Sequence, residues 1–213
     1  MSGDSSSSTN ITAPISSMDG SEAMTNGVWS NILARVFPFP AYVIAPELYV
    51  KGEGKDTIRR ADLMVVRMSK DPSKVPNKGV LAFEGKHGIA KDEDFAAQAR
   101  EITAYMRSTQ FTTSGGATYG MVAAGRRYGF LHWDGSQLTQ LLDETLSPSK
   151  PHGDSGCSNP RVLENLASIT DDGTKILSGG RSDLLAGPLK MLNALRKLIE
   201  GQLGNPDDYI PPP

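Results

Sequence analysis

Two short runs, Ala61 to Met68 and Gly79 to Glu84, are apolar almost throughout, at alternate positions and at the positions between them. A strand with one face in water alternates apolar and polar residues, whereas a run apolar on both faces needs cover on both sides. These runs therefore predict two central strands of a covered sheet, joined by the Lys-, Pro- and Asn-rich connection between them. Helical patterns supply the cover. Val28, Ile32, Leu33 and Val36 recur at helical spacing from a start near Glu22, and Pro38 and Pro40 stop that helix. Asp92 to Ser108 reads as a second helix. Asp92 is placed to cap it, Glu93 and Asp94 suit its positive end, and Phe95, Ala99, Ile102 and Met106 form one apolar stripe.

Further strands complete the pattern. Tyr42 to Val50 is rich in β-formers, with Pro46 demoting part of it to an edge or a bulge. Thr118 to Ala124 and Tyr128 to Trp133 form a hairpin turning at Gly125, Arg126 and Arg127, and Leu138 to Leu142 adds a short strand. The last helix spans roughly Pro188 to Glu200. Leu185, Leu189, Leu192, Leu195 and Ile199 face inward, Gly201 serves as its C-cap, and the tail to Pro213 is extended. The Ser-, Thr- and Gly-rich residues 1–20 are expected to be disordered, and residues 144–180 to be loop-rich, with a short helix opened by Asn159 and Pro160. The expected organisation is a disordered segment 1–20, a core over 21–143, a loop-rich segment 144–180 and a C-terminal helix and tail over 181–213. Mixed strands and helices make the class α/β or α+β.

Bulk properties narrow the function. The 213 residues are 38% hydrophobic with a net charge of −2. A dedicated nucleic-acid binder carries a basic excess, so any phosphate contact here must come from a local patch. The single cysteine, Cys157, excludes an internal disulfide and a Cys-based zinc site. No stretch reads as a secretory signal or a membrane span, so no membrane partner is expected and the cytoplasm or nucleus is the expected location.

The ionisable residues of the central strands carry the chemistry. If the two strands pair antiparallel across their connection, Asp62 lies opposite Glu84, and strand periodicity puts Glu84 and Lys86 on one face. Two carboxylates at cross-strand distance repel, and a hard divalent cation resolves the repulsion. Mg²⁺ or Mn²⁺ takes oxygen ligands from one or two carboxylates, and the carbonyl of Gly85 offers another. Lys86 would orient an attacking water or stabilise charge on a phosphorus centre. Taken singly, each residue is a common solvated strand end; the combination is what points to phosphodiester hydrolysis.

Ala61 and Asp62 leading into Leu63 to Val66, then Leu81, Ala82, Phe83, Glu84, Gly85 and Lys86, resemble the PD-(D/E)XK nuclease-like superfamily. The resemblance covers roughly residues 22–143. It is closest to nuclease-like segments of fungal proteins, some joined to fungal-type kinases, where a helix bearing Gln and Tyr precedes strands with an aromatic, Trp, Asp, Gly pattern. Here those are Gln98, Tyr105, and Phe130, Leu131, His132, Trp133, Asp134, Gly135. The resemblance implies a restriction-endonuclease-like mixed sheet flanked by helices, and a Mg²⁺- or Mn²⁺-dependent endonuclease acting on DNA. Its catalytic residues would be Asp62, Glu84, Lys86 and Gln98, with metal ligands at Asp62, Glu84 and Gly85. Many such nucleases pair as homodimers. The pattern departs in two places: Ala61 replaces a Pro, and Tyr105 stands seven residues from Gln98 rather than four, so packing is its expected role. Relatives place another Glu on the first helix, for which Glu22 is the candidate, with Glu47 competing from the first strand.

Lys55, Arg59 and Arg60 lie beside the proposed site and are the candidate phosphate-backbone contacts. Arg67, Lys70, Lys74 and Lys78 flank the connection, and Arg126 and Arg127 sit at the hairpin; solvated loop charges are the ordinary reading of all these. Gly153, Asp154, Ser155 and Gly156 imitate a serine-protease nucleophile loop without the continuation or the all-β context. Gly52, Gly54 and Lys55 lack the spacing of a phosphate loop. His87, His132 and His152 show no ligand spacing. The alternative to an enzyme is a catalytically silent nuclease fold used as an interaction module or effector.

Overall fold

The computed structural model describes residues 20–51, 58–87, 92–106, 118–134, 138–141, 167–168 and 186–213. Helix α1 spans Glu22–Val36. It starts where Ser21 takes extended backbone angles and its Oγ accepts from the Met24 N–H at 3.2 Å. Strands β1 (Tyr42–Lys51), β2 (Ile58–Arg67) and β3 (Lys78–Lys86) follow, then α2 (Asp92–Met106), β4 (Thr118–Ala124), β5 (Arg127–Trp133) and β6 (Leu138–Leu141). A two-residue strand β7 (Ala167–Ser168) pairs with the start of β5, and helix α3 covers Ala186–Gln202.

Spatial order follows chain order, β1-β2-β3-β4-β5-β6. Neighbours are antiparallel except β3 and β4, which run parallel. A parallel pair cannot be joined by a hairpin, and α2 makes the crossover. The sheet is therefore mixed, and both its faces are covered. On one face α1 and α3 pack over Leu63, Val65, Leu81, Phe83, Met121 and Phe130; on the other, α2 packs Ala99, Ile102, Tyr105 and Met106 over Met64, Ala82, Val122 and Leu131. Residues 79–85 of β3 are buried without a break, as its two-faced apolar pattern predicts. Gly120 lets α2 approach closely, since a Cβ there would meet Ile102 Cγ2 at 2.4 Å.

Several expectations are met and others corrected. β1 is an edge strand, as Pro46 suggests, and Pro46 still aligns with Leu63. The hairpin turns on Gly125, at φ 53°, and Arg126, while Arg127 pairs with Ala124 inside the ladder rather than in the turn. Gly201 lies within α3, and the left-handed residue beyond the helix is Gly204 at φ 83°, which displaces the expected C-cap by three positions. The tail is docked, not merely extended. Lys70 N–H donates to Asp208 O at 2.9 Å, Ile210 N–H donates to Met68 O at 3.1 Å, and Tyr209 is buried. Arg67, read as a solvated loop charge, is among the most buried large side chains. It ends β2 under the tail, where its guanidinium lies 4.9 Å from the Tyr42 ring centre and 5.3 Å from that of Tyr209. The expected disorder of residues 1–20 falls almost wholly outside the described residues, as do Leu142, the Asn159–Pro160 helix, Leu185 and Cys157.

Candidate active site

The β2–β3 ladder ends at the pair Leu63 and Phe83, so the next residues, Asp62 and Glu84, stand opposite one another just beyond it. This is the register the sequence argument assumed. Asp62 is not a strand start, however: β2 continues back to Ile58, paired there with β1 alone. The site thus lies where the sheet parts between β2 and β3: β2 runs on with β1, and β3 runs on with β4 as far as Lys86. Asp62 Oδ2 accepts from the Gly85 N–H at 2.8 Å, which ties the two strands past the last ladder pair.

Glu84 is buried, at 4% exposure. Its Oε1 lies 3.1 Å from Lys86 Nζ, and its Oε2 has no hydrogen-bond partner. An orphaned carboxylate oxygen away from water carries a desolvation cost that a native site must offset. Burial above all, and then the Asp62 charge, push the Glu84 carboxyl up to about 8, against the pull of Lys86. Lys86 itself is raised. Burial works against its charge, but Glu84, Glu22 and Asp62 together outweigh it. A lysine held this firmly in the ammonium form can orient and neutralise, and cannot serve as a base.

Helix α1 supplies the third side of the site. Trp29 Nε1 donates to Gly125 O at 3.1 Å, fixing the helix against the β4–β5 turn. One turn before Trp29, Asn26 lies over Gly85 so closely that a Cβ on Gly85 would meet Asn26 Oδ1 at 1.9 Å. A further turn back, Glu22 Oε1 stands 3.7 Å from Lys86 Nζ. Between the two candidate third acids the structure discriminates: Glu22 reaches the site through Lys86, while Glu47 pairs with Arg60 at 3.2 Å, both side chains more than half exposed.

Helix α2 closes the fourth side. Gln98 is buried, and its Nε2 donates to Ala123 O at 3.4 Å, on the β4 residue paired with Gly85. Its Oε1 is buried without a partner. Tyr105 packs, as expected, and its hydroxyl donates to Arg60 O at 2.9 Å. Glu101 is the residue that sequence reasoning missed: its carboxyl is within hydrogen-bonding reach of Glu84 and raises it further. Its exposed position on an amphipathic helix gave no sign of this. Among the described residues, no group of three or more His, Cys, Asp or Glu side chains shares a point suited to one metal ion; the carboxyls meet in pairs at Glu84. Lys55 and the side chain of Arg59 lie outside the described residues, and His87 is exposed at the end of β3.

No protein-family model matches this chain, and no curated protein or solved structure matches it either. Among the described residues, no helix is long and apolar enough to cross a membrane.

Proposed function

We propose that this protein is a metal-dependent nuclease of the restriction-endonuclease-like fold, acting on DNA phosphodiesters. The observation that carries the reading is the pairing of half-buried Asp62 with buried Glu84, in which Glu84 Oε2 lacks any donor while a second carboxylate faces it across the strands. The mixed sheet flanked by helices, in the order helix, three strands, helix and further strands, is consistent with this reading.

The residues fit a hard divalent cation. Oxygen ligands predominate, three buried acceptors (Glu84 Oε2, Asn26 Oδ1 and Gln98 Oε1) are unsatisfied, and the local charge is in negative excess. Asp62, Glu84 and the Gly85 carbonyl would hold Mg²⁺ or Mn²⁺, which when bound lowers the pKa of water and neutralises phosphate charge. The chain's own residues do the rest. The Gly85 N–H fixes one Asp62 oxygen, leaving the other free to turn toward the site. Lys86, kept charged by its acidic neighbours, lies against Glu84 Oε1 and would place its ammonium on a phosphate oxygen or on the attacking water. Asn26 and Gln98 press on the backbone at Gly85 and Ala123 and hold the β3 strand end in place. Arg60, exposed and only loosely paired with Glu47, remains available to a phosphate backbone.

Purified protein is expected to cleave plasmid and linear DNA in Mg²⁺ or Mn²⁺ and not in chelator. Asp62→Ala, Glu84→Ala and Lys86→Ala should each lower the rate by about 10²-fold or more, in line with losing a preorganised electrostatic group. Cleavage unchanged by all three substitutions would reject the mechanism. One observation favours the catalytically silent interaction module instead, namely the net charge of −2 with no basic excess. A folded protein without metal-dependent cleavage would support that reading.

A further inference from the structure

We infer that Arg127, the first residue of β5, binds the backbone phosphate next to the one at Lys86, so that the substrate strand lies across β2, β3, β4 and β5 along one row of cations. The inference rests on the nuclease reading above and gives that site a path for its substrate.

The row follows from the register of the sheet. Lys86 pairs with Ala124 in the parallel ladder, and Ala124 pairs with Arg127 in the antiparallel one. Residues paired directly across strands put their side chains on the same face. Here it is the α2 face, where Ala124 and Val122 of β4 pack, together with Leu131 of β5, four residues on from Arg127. Lys86 and Arg127 therefore stand two strands apart on one face, roughly 10 Å by ordinary strand spacing, with the small side chain of Ala124 between them. Glu84 lies two residues before Lys86, and Arg60 lies two residues before Asp62. The carboxylates thus occupy one row of the sheet and the cations the next row outward. From Lys86 through Ala124 and Arg127 to Ser168 of β7, that outer row contains no carboxylate among the described residues.

Backbone contacts hold Arg127 in this place. The Gly125 N–H donates to Lys86 O at 3.2 Å, and Trp29 Nε1 donates to Gly125 O at 3.1 Å. The β4–β5 turn is bound to the end of β3 and to α1 at once. Arg127 is half-buried, a setting in which a long side chain packs its stem and keeps its charged head in water. A planar guanidinium matches two phosphate oxygens with two parallel N–H bonds. A chain of net charge −2 holds a polyanion only where cations gather locally, and this row gathers Arg60, Lys86 and Arg127 beside the acidic pair.

The test is binding of a labelled DNA duplex by the full chain, with Ca²⁺ in place of Mg²⁺ and salt varied, alongside steady-state cleavage in Mg²⁺ and melting temperatures as a check on folding. Arg127→Gln is expected to weaken binding about tenfold and to lower the slope of log affinity against log salt by about one. Its KM for cleavage should rise by a similar factor while kcat stays within about threefold of wild type. Arg127→Lys should keep the wild-type slope. A folded Arg127→Gln with wild-type affinity and slope, in a protein that does cleave DNA, would overturn the Arg127 contact and leave the nuclease reading standing. If Arg127→Gln does not fold, wild type decides against duplexes with one uncharged methylphosphonate beside the scissile phosphate. Weaker binding by about tenfold is expected, and equal binding with the neutral group on either side would overturn the row. DNA bound with an Arg127-dependent slope but never cleaved would keep the row and overturn the nuclease reading. Wild type that neither binds nor cleaves DNA would overturn both.

Discussion

At one end of β2, Arg67 is buried with its charge paired, although its Nε has no hydrogen-bond partner. Its Nη2 donates to Glu200 Oε2 at 3.3 Å and its Nε lies 3.1 Å from Oε1 as an ion pair, its Nη1 donates to the Ala41 carbonyl at 3.0 Å and to that of Ile210, and Tyr42 donates to the same glutamate. Five residues earlier, Asp62 opens a cluster in which carboxylates outnumber ammonium groups and three buried oxygens, on Asn26, Glu84 and Gln98, have no donor. Both clusters take charge out of water. The first is charge-paired and lidded by the C-terminal tail, which is how a charge is buried for structure. The second is short of positive charge, and that deficit is the ground on which a bound cation is proposed.

The contrast predicts opposite responses to substitution. Arg67→Ala strands Glu200 and the two carbonyls and should cost about 3–5 kcal/mol, read from the midpoint of chemical denaturation. A cost near zero would mean the closed cluster is not what fixes the tail.

Removing charge from the open cluster should have the reverse sign. Glu84 holds its proton more tightly when folded than its ordinary value of 4.5 allows unfolded. Its contribution to stability is therefore fully present below pH 4.5 and lost as pH rises through about 8. Without divalent cations, Glu84→Gln should become more stable than wild type across that window, by an amount on the order of a few kcal/mol at its upper end. Equal pH profiles would show that Glu84 is not strained.

Smaller effects test the supports. Gly85→Ala drives a methyl into Asn26 and should cost about 1–3 kcal/mol, with Asn26→Ala in the same chain recovering most of it. Tyr105→Phe removes the bond to Arg60 O and should cost about 1 kcal/mol while sparing cleavage. Either substitution abolishing activity outright would move that residue from support to chemistry.

Much of this was legible in the sequence because hydrophobic pattern is a strong signal where both faces are covered. The uninterrupted runs around Leu63 and Leu81 gave the central strands, and parity gave the Glu84–Lys86 face. The antiparallel register of Asp62 and Glu84 followed once the two strands were paired. What escaped depends on tertiary neighbours. Arg67 reads as one more cation beside a basic connection, and only the arrival of Glu200 and the tail, more than a hundred residues later, makes it a core residue. Glu101 reads as the wet side of an amphipathic helix, because the sequence does not say how far α2 is rotated over β3. Gly201 and Gly204 are both plausible helix stops, and the choice rests on Leu203 being buried against the core.

The central claim is that the carboxylate cluster around Asp62 of β2 requires a cation that the Arg67 cluster does not. The direct measurement is the melting temperature at about pH 8.5, with and without Mn²⁺, for wild type and Glu84→Gln. Mn²⁺ should raise the wild-type value by several degrees and leave Glu84→Gln unmoved. No shift in wild type, or the same shift in both, would contradict the account.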